Sequence, residues 1–162
     1  MQERPAEEIW NYQQIGLGYN YRLTDIQAAL GFSQLSRLPE FVNRRHEIAQ
    51  RYDHVLASMQ VVRPWQHPDT WSSYHLYPIR IRENQCRKTH RQIYDAFLAA
   101  GIGVNLHYIP VYRQPYFEAM GFTIGYCREA ERYYREALSI PIFPDLDNES
   151  QEKVIDVLAG LI

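Results

Sequence analysis

"GLGYNYRLTDIQAALG", Gly16 to Gly31, is the stretch from which the rest of the chain is read. Two glycines, two tyrosines, an asparagine and an arginine crowd together, and a helix signal follows at once. Thr24 and Gln27 have the spacing of a capping box, in which each side chain satisfies the other residue's backbone N–H. Ile26, Ala29 and Leu30 then give a helical apolar face, and Ala28 and Ala29 allow close packing. The loop itself has two readings. In one, the Asn20 amide, the Arg22 fork and the positive start of the helix hold a phosphate. In the other, Asn20 bonds its own turn and Arg22 pairs with Asp25.

Downstream, Pro39 suits the first turn of a second, long helix carrying Phe41, Ile48, Tyr52, Val55 and Met59 at helical spacing. Arg44, Arg45 and Arg51 flank that stripe, and His46 with Glu47 reads as its solvated face. "VVRPW" reads as a short strand and "HPDTW" as a turn. Tyr74 to Arg82 alternates as a strand, with Pro78 suited to an edge. A helix from about Arg87 carries Ile93, Phe97 and Ala100 and ends at Gly101. A strand is expected next, with Ile102, Val104, Leu106 and Tyr108 on one side and Gly103, Asn105 and His107 on the other. Tyr126 to Leu138 reads as helix, "SIPIFPDL" as a link, and a last helix starts near Asn148 with Val154, Ile155, Leu158 and Leu161 inward. Helices, then strand–helix–strand, then helices describe an α+β fold with a small sheet covered by helices.

Composition narrows the function. Charged residues make up 22% and the net charge is −2, so no basic surplus favours a nucleic acid or an acidic membrane. The Arg and Tyr content alone gives only a weak RNA-binding reading. Cys86 and Cys127 match no metal or redox spacing, and the scattered histidines show no metal-ligand pairing. The polar opening and the lack of a long apolar run imply a soluble, cytoplasmic protein. No phosphate-loop, dinucleotide or serine-hydrolase motif is present. His107 and Asn105 on one strand face, followed by tyrosines and prolines, suit a sugar or base pocket. A histidine in such a place is also an ordinary structural hydrogen-bonding group.

Taken in order, "GYNYRLTDIQAALGFSQL", "RRHEIAQRYD", "HLYPIRI", "GIGVNLHYIPVYRQPYF" and "ALSIPIFPDL" resemble landmarks of the DegT/DnrJ/EryC1/StrS family of sugar-nucleotide aminotransferases. Within it they are most similar to the pseudaminic-acid branch, which aminates a UDP-linked 4-keto-6-deoxy sugar with pyridoxal phosphate. The resemblance implies the C-terminal (small) domain of a type I aminotransferase. Residues 1–38 would be the end of the large domain, and residues 39–162 the linking helix and small α+β domain. It implies that Asn20 reaches the cofactor phosphate across a dimer, and that Arg22, in the same loop, binds the cofactor or contacts the substrate. It further implies that Tyr21, His107 and Tyr108 contact the sugar nucleotide, and that the chain forms a homodimer or larger assembly.

The resemblance supplies no catalytic residue. Transamination needs a lysine bonded to the cofactor. The sequence has only Lys88, near a helix start, and Lys153, on the last helix. A protonated ammonium in water is a poor nucleophile, so neither is expected to substitute. The expectation is a transaminase portion inactive alone. The alternative is a stand-alone, non-catalytic module for sugar-nucleotide binding or oligomerisation.

Overall fold

Three short strands form the centre of the fold. The computed structural model describes residues 9, 10, 12–82, 86 and 88–162. In chain order the elements are α1 (Asp25–Leu35), α2 (Leu38–Val55), β1 (Val61–Val62), β2 (Tyr77–Ile81), α3 (His90–Ala99), α4 (Pro115–Glu118), α5 (Arg128–Glu136), β3 (Ala137–Ile140) and α6 (Asn148–Ala159). The sheet is antiparallel in the order β1-β2-β3. This is a mixed fold of helices and one small antiparallel sheet.

Alternation decides which face of the sheet is core. Tyr77, Ile79 and Ile81 are buried, and Tyr77 and Ile79 stand opposite Ile140 and Leu138 of β3. With Ile48 and Tyr52 of α2, Ile93 and Phe97 of α3, and Val154, Ile155 and Leu158 of α6, they form the main core. Pro78 and Arg80 pair with Ser139 and Ala137 on the opposite face. There Arg80 forms an ion pair with Glu136 at 2.7 Å. A smaller cluster of Leu106, Ile109 and Tyr134 has Trp10 packed against it.

Local signals set the helix ends. Both halves of the Thr24/Gln27 capping box form. An equivalent box, Thr89 with Gln92, starts α3. The sequence reading missed it, and its suggested start at Arg87 lies outside the described residues. Gly101 has φ +73° just past α3. Its N–H reaches Leu98 O and that of Ile102 reaches Phe97 O, a Schellman stop. The stripe on α2 buries Ile48 and Tyr52, while Phe41 and Val55 stay half-buried; the helix ends at Val55, so Met59, also half-buried, lies beyond it after a 3-10 turn at Leu56–Ser58. The flanking arginines brace it. Arg44 donates to Leu146 O, Arg45 to the carbonyls of Tyr74 and Ile142, and Arg51 to Asn148 O.

Five readings need correction. Tyr126 to Leu138 is not one helix, and "SIPIFPDL" is not wholly a link. α5 stops at Glu136 and Ala137–Ile140 become β3, because pairing Leu138 and Ile140 with β2 buries all four residues. The expected strand after Gly101 shrinks to one bridge, Asn105 with Ser139. Asn105 Oδ1 accepts its neighbour Leu106 N–H at 2.7 Å, which removes that donor from any ladder. Ile102, Val104 and Leu106 do point inward, but Tyr108 is 55% exposed and Ile109 is buried instead. His46 is not solvated face: it stacks on Trp71 at 3.9 Å and bonds Ser72 O at 2.8 Å. β2 is also the middle strand, not an edge. Pro78 is tolerated because Ser139 turns its own backbone groups toward Asn105, and β1 stops at Val62, opposite Arg80.

Phe97 is fully buried, whereas α1 buries no residue and Ile26 is 84% exposed. Phe97→Ala is expected to lower the unfolding free energy by about 3–5 kcal/mol. Ile26→Ala should change it by less than about 0.5 kcal/mol. Chemical denaturation at low protein concentration checks this; similar losses for the two would contradict the assignment of the core.

Candidate functional site

His107 gains its position from β3. Asn105 and Ser139 exchange both backbone hydrogen bonds, Asn105 N to Ser139 O at 3.2 Å and Ser139 N to Asn105 O at 2.8 Å. That pins the chain two residues before His107. Ser139 lies on the sheet face away from the main core, and its Oγ is 2.8 Å from His107 Nδ1. His75, Asn105, His107, Ser139 and Pro141 line an open depression of about 210 Å³. Burial, with a smaller contribution from His75, pushes His107 below the ordinary histidine value. The ring is thereby favoured neutral, able to donate from one nitrogen and accept at the other. The Tyr108 ring stands edge-on to His107 at 4.6 Å and to Tyr12 at 6.5 Å.

The contact with Tyr12 belongs to a longer docking of the N-terminal segment. Trp10 Nε1 donates to Tyr134 Oη at 3.0 Å, and its ring packs at 4.9 Å from Tyr94. Gln14 N donates to Gln114 Oε1 and Gln14 O accepts from Tyr116 N, both at 3.0 Å. Gln114 is buried, so this pair clamps the segment six positions before Asn20. Beyond the clamp the loop is open. Asn20, Tyr21 and Arg22 are all exposed, and the Tyr19 and Tyr21 rings lie 6.0 Å apart. Among the described residues Asn20 and Arg22 have no side-chain hydrogen bond or ion pair, so neither the own-turn bond nor the Arg22–Asp25 pair forms. His107 and Tyr108 are adjacent in one place, and Asn20, Tyr21 and Arg22 share another.

A larger depression of about 460 Å³ includes Arg37, Phe41, Arg45, His75 and Asp145. Its cations are already engaged. Arg45 serves backbone carbonyls, and Arg37 lies over Phe41 and 3.6 Å from Glu40. No cluster that could hold a metal occurs among the described residues. Nor is any described helix long and apolar enough to cross a membrane.

For a phosphate-bearing cofactor, the two exposed groups Asn20 and Arg22 have the right donor chemistry. The lysine chemistry does not fit. Lys88 and Lys153 are exposed, and Lys153 sits among Glu149, Glu152 and Asp156. The sequence reading did not single out Ser139, Gln14 or Gln114. Only the pairing of separate segments gives these residues their roles.

The structure thus combines helices, one small antiparallel sheet and a histidine-lined depression. A model of the DegT/DnrJ/EryC1/StrS aminotransferase family matches residues 2–159. The chain belongs to that family. It is 31% identical over 156 residues to the spore coat polysaccharide biosynthesis protein SpsC of Bacillus subtilis, covering 94% of this chain and 40% of that one. It is 33% identical over 158 residues to the UDP-4-amino-4,6-dideoxy-N-acetyl-beta-L-altrosamine transaminase of Campylobacter jejuni, covering 96% and 41%. Among solved structures, the putative sugar aminotransferase Spr1654 of Streptococcus pneumoniae superposes with a TM-score of 0.79 at 28% identity, covering 93% and 38%. It has also been solved in a PLP form. Helicobacter pylori PseC, an aminotransferase of pseudaminic acid biosynthesis, gives 0.75 at 29%, covering 90% and 39%. The chain thus spans about two fifths of the length of these relatives.

The clamp at Gln114 fixes how the Asn20 loop leaves the domain. Gln114→Ala is expected to speed amide exchange of Tyr116 and proteolysis after residues 12–16, with α6 amides unchanged. Hydrogen exchange read by NMR checks this; unchanged Tyr116 protection would show that the segment is held by other contacts.

Proposed function

We propose that this chain is the substrate-facing C-terminal portion of a pyridoxal-phosphate-dependent transaminase for a UDP-linked 4-keto-6-deoxy amino sugar. The observation that carries the reading is the His107 depression, set in a chain related along nearly all its length to a UDP-amino-sugar transaminase. His107 and Tyr108 contact the sugar nucleotide, the neutral imidazole bonding sugar or carbonyl oxygens and the phenol ring covering an apolar face. Tyr21 adds a contact from the open loop. Asn20 and Arg22 hold the cofactor phosphate, Asn20 that of a neighbouring subunit. Bound cofactor supplies the electron sink for moving the amino group.

The chain provides binding and orientation without the lysine, so alone it does not transfer amino groups. Residues 1–38 belong with the large domain of the whole enzyme and residues 39–162 with the small one. A second reading, a stand-alone binding or assembly module, is favoured by one feature. α1 carries Ile26, Leu30 and Phe32 at 84%, 63% and 81% exposure. That apolar surface suits self-association into a homodimer or larger assembly.

Calorimetric titration with a UDP-linked N-acetylated amino sugar tests the binding role. His107→Ala is expected to weaken binding by about tenfold, which is ~1.4 kcal/mol. In parallel, the chain is incubated with pyridoxal phosphate and glutamate, then reduced with borohydride to fix any lysine-bound cofactor. No specific labelling of Lys88 or Lys153 and no amino transfer are expected. Unchanged affinity in His107→Ala, or specific labelling with turnover, contradicts the proposal. A monodisperse monomer in light scattering at high concentration contradicts the self-association.

A further inference from the structure

Ser139 has one hydroxyl, and that hydroxyl has one side-chain partner: His107 Nδ1 at 2.8 Å. The residue is 7% exposed and sits in β3, where all four residues are buried. Its backbone N–H and C=O are both held by the reciprocal bridge to Asn105, and Pro78 of β2 stands opposite it in the sheet register. The hydroxyl therefore cannot wander far from the ring it touches. Asn105, the other polar residue close in sequence to His107, turns its carbonyl oxygen to Leu106 N and leaves the ring to Ser139. No other described residue takes a hydrogen bond from His107, and both His107 and Ser139 line the depression.

We infer that Ser139 is a positioning residue for His107: its Oγ–H donates to Nδ1, holding the ring as the Nε2–H tautomer with that N–H presented to the depression. A neutral imidazole divides donor and acceptor roles between its two nitrogens, and the bond at one fixes the role of the other. A hydroxyl that donates to Nδ1 leaves Nε2–H as the outward donor. The direction in which burial and His75 move His107 agrees with a ring held neutral. The consequence is a preference in ligand chemistry. An outward N–H selects an oxygen acceptor, such as a carbonyl, hydroxyl or ring oxygen of a sugar. An outward lone pair would instead select a donor. The ligand side of this inference rests on the proposed sugar-nucleotide role of His107, whereas the tautomer side stands on His107 Nδ1 being the one partner of the Ser139 hydroxyl among the described residues, so that the hydroxyl proton has no other acceptor.

The test uses the 162-residue chain with 15N-labelled histidine and long-range imidazole nitrogen correlations above the histidine titration range. In the wild type, His107 is expected to show an unprotonated Nδ1 and a protonated Nε2. In Ser139→Ala both nitrogen signals should move toward values averaged over the two tautomers, with the Asn105 amide still protected. Affinity for the UDP-linked amino sugar should fall about threefold to tenfold in Ser139→Ala. Ser139→Thr, which keeps the hydroxyl, should restore both the spectrum and the affinity. A protonated Nδ1 in the wild type, or an unchanged His107 spectrum in Ser139→Ala, overturns the inference. If the spectrum responds as expected while His107→Ala leaves sugar-nucleotide affinity unchanged, the positioning role is supported and the proposed ligand role of His107 is what fails.

Discussion

Two backbone hydrogen bonds, exchanged between Asn105 and Ser139, hold the segment that carries His107 to the sheet. Without them the segment after α3 would have no register on the sheet. Leu106 and Ile109 would then lose their fixed place beside Tyr134, and the His107 ring its fixed distance from the Ser139 hydroxyl. The bridge works because β3 is anchored on its other side by β2, whose inward residues belong to the main core. The bridge thereby ties to the sheet a short irregular segment whose Ile102 and Val104 already sit in the main core. Functional groups on loops commonly depend on such a scaffold.

The second dependence runs through the N-terminal segment. Trp10, Tyr12 and Gln14 lie across the domain and meet Tyr134, Tyr108, Gln114 and Tyr116 in turn. The open loop with Asn20 and Arg22 thus leaves the domain from the neighbourhood of the 108–116 segment. The solved structures of Spr1654 and PseC are more than twice as long as this chain.

Local chemistry was readable from the sequence and long-range pairing was not. The box at Thr24 and Gln27 is complete within four residues, and Gly101 marks a helix stop by itself. The stripe of Ile48 and Tyr52 follows from one helix period. Ala137–Ile140 carries no comparable signal; only Tyr77–Arg80, far upstream, makes it a strand. His46 reads as solvated because its partner Trp71 arrives on a separate loop. The same holds for the site. His107 stood out as a polar residue on an alternating segment, but Ser139, an ordinary serine before a proline-rich run, acquires meaning only through the sheet register. The ordered set of sequence blocks pointed to the family because it is a pattern across the chain, independent of any one contact.

The placement of His107 therefore depends on the Asn105–Ser139 bridge. Native-state hydrogen exchange of the Asn105 and Ser139 amides measures it directly, against the Ile93 and Phe97 amides of the core helix. If the bridge carries the rigidity of the core to His107, both amides open with free energies close to those of Ile93 and Phe97. If they exchange as fast as the exposed Gly103 amide, the segment is not held by the sheet, and the geometry assigned to His107 and Ser139 is wrong.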